Sequence, residues 1–112
     1  VYKRPKIAIF STGSEIVEIS ETPKKDQIRN SNSIMLKIFA SKYADAKIFP
    51  IVEDNIESLR TAFENAVENF DVLVTTGGVS VGDYDFTKPV LREIGAEILF
   101  EKVSLKPGKP TV

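Results

Sequence analysis

The chain is 112 residues long, 42% hydrophobic and 28% charged, with a formal net charge of −1 and neither Cys nor His. That composition implies one ordinary globular domain able to bury its own core, and it excludes disulfides, thiolate metal sites, imidazole general bases and the usual zinc sites. Charges spread along the chain give no footprint for nucleic acid, and no apolar run reaches the length of a membrane span. Val1-Tyr2-Lys3-Arg4-Pro5 is not a signal peptide, so a cytoplasmic protein is expected.

Lys6 to Phe10 is a short apolar run punctuated by Ser11-Thr12-Gly13-Ser14, which predicts a buried strand followed by a loop. Glu15 to Lys25 is polar and predicts a loop or a short irregular excursion. Asn30-Ser31-Asn32-Ser33 supplies capping side chains, and Ile34, Met35, Ile38 and Phe39 then share one helical face. Ala46 to Val52 reads as a second strand, with Pro50 placing it at an edge or near a strand end.

Asp54-Asn55-Ile56-Glu57 has capping-box spacing with an acid in the Ser/Thr place. Ile56, Leu59, Phe63, Ala66 and Val67 then follow a helical period. Phe70 to Thr75 predicts a third strand and Gly77 to Asp85 a glycine-rich loop. A further helix turns Val90, Leu91 and Ile94 inward and stops at Gly95, where a C′ residue belongs. A last strand is expected over Glu97 to Leu105, running into the turn Lys106-Pro107-Gly108-Lys109-Pro110. Strands alternating with helices predict a three-layer α/β/α domain with a mainly parallel sheet.

In such folds ligands bind beyond the carboxyl ends of the strands. Three segments share that end: Ser11 to Glu15, Glu53 to Asn55, and Thr75 to Asp85. Gly77 and Gly78 let the backbone approach a ligand and expose N–H donors, while Thr75, Thr76 and Ser80 add hydroxyls to a phosphate cradle. The loop matches neither the ATP-binding GxxxxGK[ST] pattern nor the dinucleotide GxGxxG pattern. Each residue also has a plain structural reading. Asp54 is first of all a helix N-cap, supported by Glu57; Asp85 or Thr87 would cap the next helix. Glu15 is either a surface acid or a site residue. Asp83 and Asp85, following Gly82, either share a cation or solvate the loop. Lys106 and Lys109 flank an exposed turn or meet an anion, and Asn30, Ser31 and Asn32 start a helix before they touch a ligand.

Ser11-Thr12-Gly13-Ser14-Glu15, Ser31-Asn32, the run from Thr76-Gly77-Gly78-Val79-Ser80-Val81-Gly82-Asp83 to Asp85, and Lys106-Pro107-Gly108-Lys109-Pro110 occur in this order. Together they resemble the molybdopterin molybdotransferases, the family of bacterial MoeA and the gephyrin E domain. The resemblance spans almost the whole chain. It implies a molybdopterin-binding α/β domain of a transferase in molybdenum-cofactor biosynthesis. Its substrates would be adenylylated molybdopterin and molybdate, with Mg²⁺ as cofactor and AMP released. It implies Glu15, Asp54 and Asp85 as catalytic acids and Mg²⁺ ligands. Thr12, Gly13, Ser14, Ser31, Asn32, Thr75, Thr76, Gly77, Gly78, Ser80, Gly82, Asp83, Lys106, Pro107, Gly108 and Lys109 would hold the pterin phosphate and other anions.

The sequence departs from the family at Asn30 and Ser14, where many relatives carry Asp. Family members carry further domains that complete the site, often across a homodimer. The chain begins without Met and stops at Pro110-Thr111-Val112, so residues 1–112 are expected to be one domain of a longer protein. The alternatives are a molybdopterin adenylyltransferase of the same fold, whose loop usually reads Gly-Gly-Thr-Gly, and a non-catalytic scaffold module. The related domain of competence-damage proteins also has a different glycine loop.

Overall fold

Ile7 to Phe10 is apolar on both faces of an extended chain, as a strand buried from both sides requires. In the computed structural model, which describes residues 2–77 and 85–107, this run is strand β1 (Lys6–Ser11), the centre of a three-stranded sheet. It pairs in parallel with β4 (Asp45–Ile48) on one side and with β5 (Val72–Thr76) on the other. Ile9 lies opposite Ile48 in one neighbour and Val74 in the other. The chain leaves β1 for one flank, then crosses to the other, so the order reverses beside the carboxyl end of β1. That is where an open α/β sheet forms a crevice.

The two crossovers carry the helices α1 (Asn32–Ala40) and α2 (Ile56–Asn69). Alternation along β1 sends Ala8 and Phe10 to one face and Ile9 to the other. Ala8 and Phe10 join Val52, Leu59, Phe63, Ala66 and Val90 in one core cluster, so α2 and the short α3 (Thr87–Glu93) cover that face. On the opposite side α1 packs on β1 and β4. Phe10 is the hub of the core. It stacks on Phe49 with ring centres 4.7 Å apart and meets Phe63 edge-on at 5.7 Å.

The helical periods fall as expected, with two shifts. On α2, Leu59, Phe63 and Ala66 are buried, while Ile56 and Val67 lie at the exposed margins. Its N-cap is Asn55, whose Oδ1 accepts the Ser58 N–H at 2.8 Å. Asp54 is therefore not the cap, because the neighbouring amide takes the position. α3 ends in a Schellman motif around Gly95 (φ 89°), with Gly95 N–H to Arg92 O at 3.1 Å and Ala96 N–H to Leu91 O at 2.9 Å. Neither Asp85 nor Thr87 caps α3; Phe86 holds that place without a side-chain cap bond.

Three further differences are local. The second strand stops at Ile48, before Pro50, and Val52 returns only as a single bridge to Thr12. The polar excursion after Glu15 contains a two-stranded parallel pair, β2 (Ile16–Val17) with β3 (Ile28–Arg29). Residues 97–105 form no strand beyond one bridge residue at Lys102. Among the described residues, no helix is long and apolar enough to cross a membrane.

Candidate functional site

The carboxyl end of the sheet is drawn together by backbone bonds. Thr12 N–H donates to Thr76 O at 2.9 Å, and Val52 N–H donates to Ser11 O at 2.9 Å. These bonds place the ends of all three expected loops side by side. Gly77 sits here at φ 86°, and a Cβ built on it would stand 2.2 Å from the Thr12 carbonyl oxygen. Any other residue would force the two loops apart. Gly13 (φ 137°) has a different neighbour: the Glu15 carboxylate folds back to 2.6 Å from where its Cβ would be.

An open cleft of ≈ 690 Å³ lies at this end. Gly13, Ser14 and Ile16 line it from the first loop, and Ile51, Glu53 and Asp54 from the second. With Asn55 taking the cap, the Asp54 carboxylate is released to the cleft. Its Oδ1 is shielded from solvent and has no hydrogen-bond partner among the described residues. Burial first, then the negative charges of Glu15 and Asp85, hold its carboxyl above the usual carboxylate range. The three acids of the family resemblance are thus within electrostatic reach of one another.

Asp85 repeats the pattern. Its Oδ2 meets Lys88 Nζ at 3.2 Å, and its Oδ1 is shielded and has no partner among the described residues. The hydrogen bond that Lys88 donates to Asp85 is the largest influence holding its ammonium above its ordinary value, with burial opposing it. Thr87 Oγ1 is a third shielded oxygen without a partner among the described residues. Buried polar atoms in native proteins are nearly always satisfied, so orphan oxygens on two loops of one end mark a place prepared for something else. Among the described residues no three acids stand close enough to hold a metal ion unaided.

Not every expected residue reaches the cleft. Thr12 is buried, its backbone and hydroxyl both turned to Thr76 O. Thr75 is half-buried within β5, opposite Phe10. Ser31 and Asn32 are exposed at the start of α1 and are not among the cleft's walls. Lys106 and Pro107 are exposed. Gly78, Ser80, Gly82, Asp83, Gly108 and Lys109 lie outside the described residues.

Two features were not foreseen. One is a buried polar chain. Thr76 Oγ1 donates to Ser11 Oγ at 3.3 Å, and Ser11 Oγ donates to Asn30 Oδ1 at 2.9 Å. Asn30 Oδ1 also accepts from Ser33 Oγ at 2.8 Å and Ser33 N–H at 3.5 Å. Asn30, not Ser31, thus tends the first turn of α1, and its oxygen is spent inside the fold. The signal was the hydroxyl at the tip of an apolar run, Ser11, which needs an internal partner if that strand is buried. The other is Lys88, whose signal was helical spacing from Asp85.

Residues 8–112 match the family model described as a probable molybdopterin binding domain. The molybdopterin molybdenumtransferase of Nostoc sp. is 40% identical over 111 residues, covering 98% of this chain and 26% of its own. That of Staphylococcus aureus is 37% identical over 112 residues, covering 99% of this chain and 27% of its own. This chain therefore spans about a quarter of the length of those relatives. The molybdopterin biosynthesis protein moeA of Pyrococcus horikoshii superposes with a TM-score of 0.82 at 33% identity, over 98% of this chain and 27% of that one. The protein CinA of Thermoplasma acidophilum shares the fold, with a TM-score of 0.66 at 21% identity over 80% of this chain and 50% of that one.

Proposed function

Because this chain belongs to the family of probable molybdopterin-binding domains, we propose that it is the pterin-phosphate-binding part of a molybdopterin molybdotransferase acting in molybdenum-cofactor biosynthesis. The substrates are adenylylated molybdopterin and molybdate, and AMP leaves. The observation that carries this reading is the pair of shielded carboxylate oxygens without a partner among the described residues, Asp54 Oδ1 on the cleft wall and Asp85 Oδ1, with Glu15 and Asp85 both near enough to act on the Asp54 charge.

Mutually repelling acids with free oxygens suit a hard divalent cation. Mg²⁺ is commonly held by one or two carboxylates, with substrate phosphate oxygens and water completing its shell. That mode needs no ready-made cluster of three acids, so Asp54 and Asp85 fit as its ligands and Glu15 as a neighbour. Bound Mg²⁺ would neutralise charge on the phosphate that AMP carries away. Asp54, raised by burial and like charge, is held in readiness for that cation. Gly13 and Ser14 form the wall along which the phosphate lies, and Gly77 keeps its own backbone close against Thr12. Lys106, with Gly78, Ser80 and Lys109, supplies donors to the remaining anionic oxygens. Molybdenum needs no Cys or His from this chain, since the dithiolene sulfurs of the pterin carry it. The intact protein is a homodimer whose other domains complete the site.

Equilibrium binding of molybdopterin and of adenylylated molybdopterin, with and without Mg²⁺, tests the proposal. Saturable binding of the adenylylated form, strengthened by Mg²⁺ and weakened roughly 10-fold or more by Asp85→Asn, is expected on the scale of a lost charge-assisted contact. The isolated domain should bind weakly and turn over poorly. Robust molybdenum insertion by the domain alone, or no saturable binding of either pterin to the longer protein, would sink the reading.

A further inference from the structure

We infer that Lys88 is a positioning residue for the cation-and-phosphate site, a clamp that fixes Asp85 and ties it to the segment leading into Lys106. This rests on the functional reading above. Lys88 Nζ lies 3.2 Å from Asp85 Oδ2 and 3.4 Å from Glu101 Oε2, and Arg92 Nη2 lies 3.2 Å from Glu101 Oε1. The result is a chain of alternating charge, Asp85–Lys88–Glu101–Arg92. Its inner end is shielded and its outer end is open: side-chain exposure is 13% at Asp85, 19% at Lys88, 39% at Glu101 and 60% at Arg92. Among the described residues the other ion pairs, Arg4–Asp45 and Arg60–Glu93, are at least 40% exposed on both sides. Exposed pairs of that kind contribute little. Asp85–Lys88 differs in that water is largely excluded from both partners.

The geometry divides the work of Asp85 between its two oxygens. Oδ2 is occupied by Lys88, which fixes the rotamer and supplies the counter-charge an acid near Glu15 and Asp54 needs. Oδ1 is left shielded, with no partner among the described residues. Groups that orient a ligand carboxylate from behind typically change metal affinity or activity 10–100-fold when removed. Lys88 holds that place behind Asp85. Through Glu101 it also fastens the segment that continues to Lys106, so the first turn of α3 and the Lys106-Pro107 turn are held in one frame.

The experiment uses the full-length polypeptide that carries this domain. Mg²⁺ is titrated at fixed adenylylated molybdopterin, with AMP release in a single turnover as a second readout. For Lys88→Met the half-saturating Mg²⁺ concentration should rise about 10–100-fold, and Lys88→Arg should recover most of the loss. In an Asp85→Asn background the same Lys88→Met change should alter Mg²⁺ dependence by less than about 2-fold, because a residue acting through Asp85 has nothing left to orient. Glu101→Gln should give a smaller loss of the same kind, and it serves if Lys88→Met does not fold. Unchanged Mg²⁺ half-saturation in Lys88→Met, or an equal loss with and without Asp85, overturns the inference while leaving the functional reading intact. Wild-type protein with no Mg²⁺-dependent binding overturns both.

Discussion

Along β1 the chemistry changes within one residue. Ala8, Ile9 and Phe10 are buried among apolar side chains, with Phe10 stacked between Phe49 and the edge of Phe63. Ser11 and Thr12 are buried just as deeply, yet they hydrogen-bond to Asn30 and Thr76. One residue beyond, at Gly13, the cleft opens with Asp54 on its other wall, and Asp54 and Asp85 each keep an oxygen without a partner among the described residues. The lower half of the strand contributes stability and the upper half spends it. An apolar interior gains free energy from every buried side chain. A buried hydroxyl only breaks even when bonded, and an unpartnered carboxylate oxygen costs. A fold that tolerates such groups at one end, and nowhere else among the described residues, has kept them for something other than folding.

The largest effect belongs to the apolar end. Phe63 is fully buried and touches Phe10 edge-on. Phe63→Ala removes that ring and leaves a cavity, with an expected loss of about 3–5 kcal/mol in unfolding free energy. Urea denaturation checks it. A loss below about 1 kcal/mol would mean the aromatic cluster is not the stabilising half of the molecule. Next comes the buried polar chain. Asn30→Ala strands the hydroxyls of Ser11 and Ser33, which both donate to Asn30 Oδ1. Its expected cost is about 1–3 kcal/mol. If Asn30→Ala were neutral in the same denaturation assay, the upper half of β1 would not depend on satisfied polar bonds.

The apolar half was the half the sequence declared. Leu59, Phe63 and Ala66 repeat at helical spacing, and Gly95 marks the end of α3 at its positive φ. Patterns of this kind follow from local geometry and can be read one residue at a time. The polar half was legible only as a convergence of three loops. Which of two adjacent capping residues would cap α2 was not encoded in spacing, since Asp54 and Asn55 are both good caps. The choice of Asn55 is what sets Asp54 free. Spacing alone did not single out Lys88, because its second partner, Glu101, lies thirteen residues on and reaches it only through the fold. Over Glu97 to Leu105, where a strand was expected, the chain keeps one bridge residue at Lys102, since an apolar run announces a strand without fixing the register in which it pairs. The apolar face of α1 was legible as a helix face, yet Met35, Ile38 and Phe39 are 51%, 63% and 58% exposed, so pattern alone did not say what would cover it.

The smallest expected effect has the opposite sign and is the sharpest test of the contrast. Asp54 has its carboxyl raised above the unfolded value of 3.8 by burial first and then by Glu15 and Asp85. A raised acid binds its proton more tightly in the folded state, so ionising it costs folding free energy. That cost is absent below pH 3.8, where Asp54 is protonated in both states, grows as pH rises through the folded value, and is complete above it. Asp54→Asn removes the charge and should therefore stabilise the domain at pH 7 without Mg²⁺. A rise of about 1–3 °C in Tm is expected, in line with ~0.5 kcal/mol at a partly exposed position. The gap between variant and wild type should close as pH falls towards 4. The same substitution should weaken Mg²⁺-dependent binding of adenylylated molybdopterin. A variant that gains stability while losing the ligand is what a site held against the fold's own interest must give. If Asp54→Asn instead lowered Tm at pH 7, Asp54 would belong with Phe63 and Asn30 as a residue the fold requires, and the contrast between the apolar core and the carboxyl end of the sheet would fail at that residue.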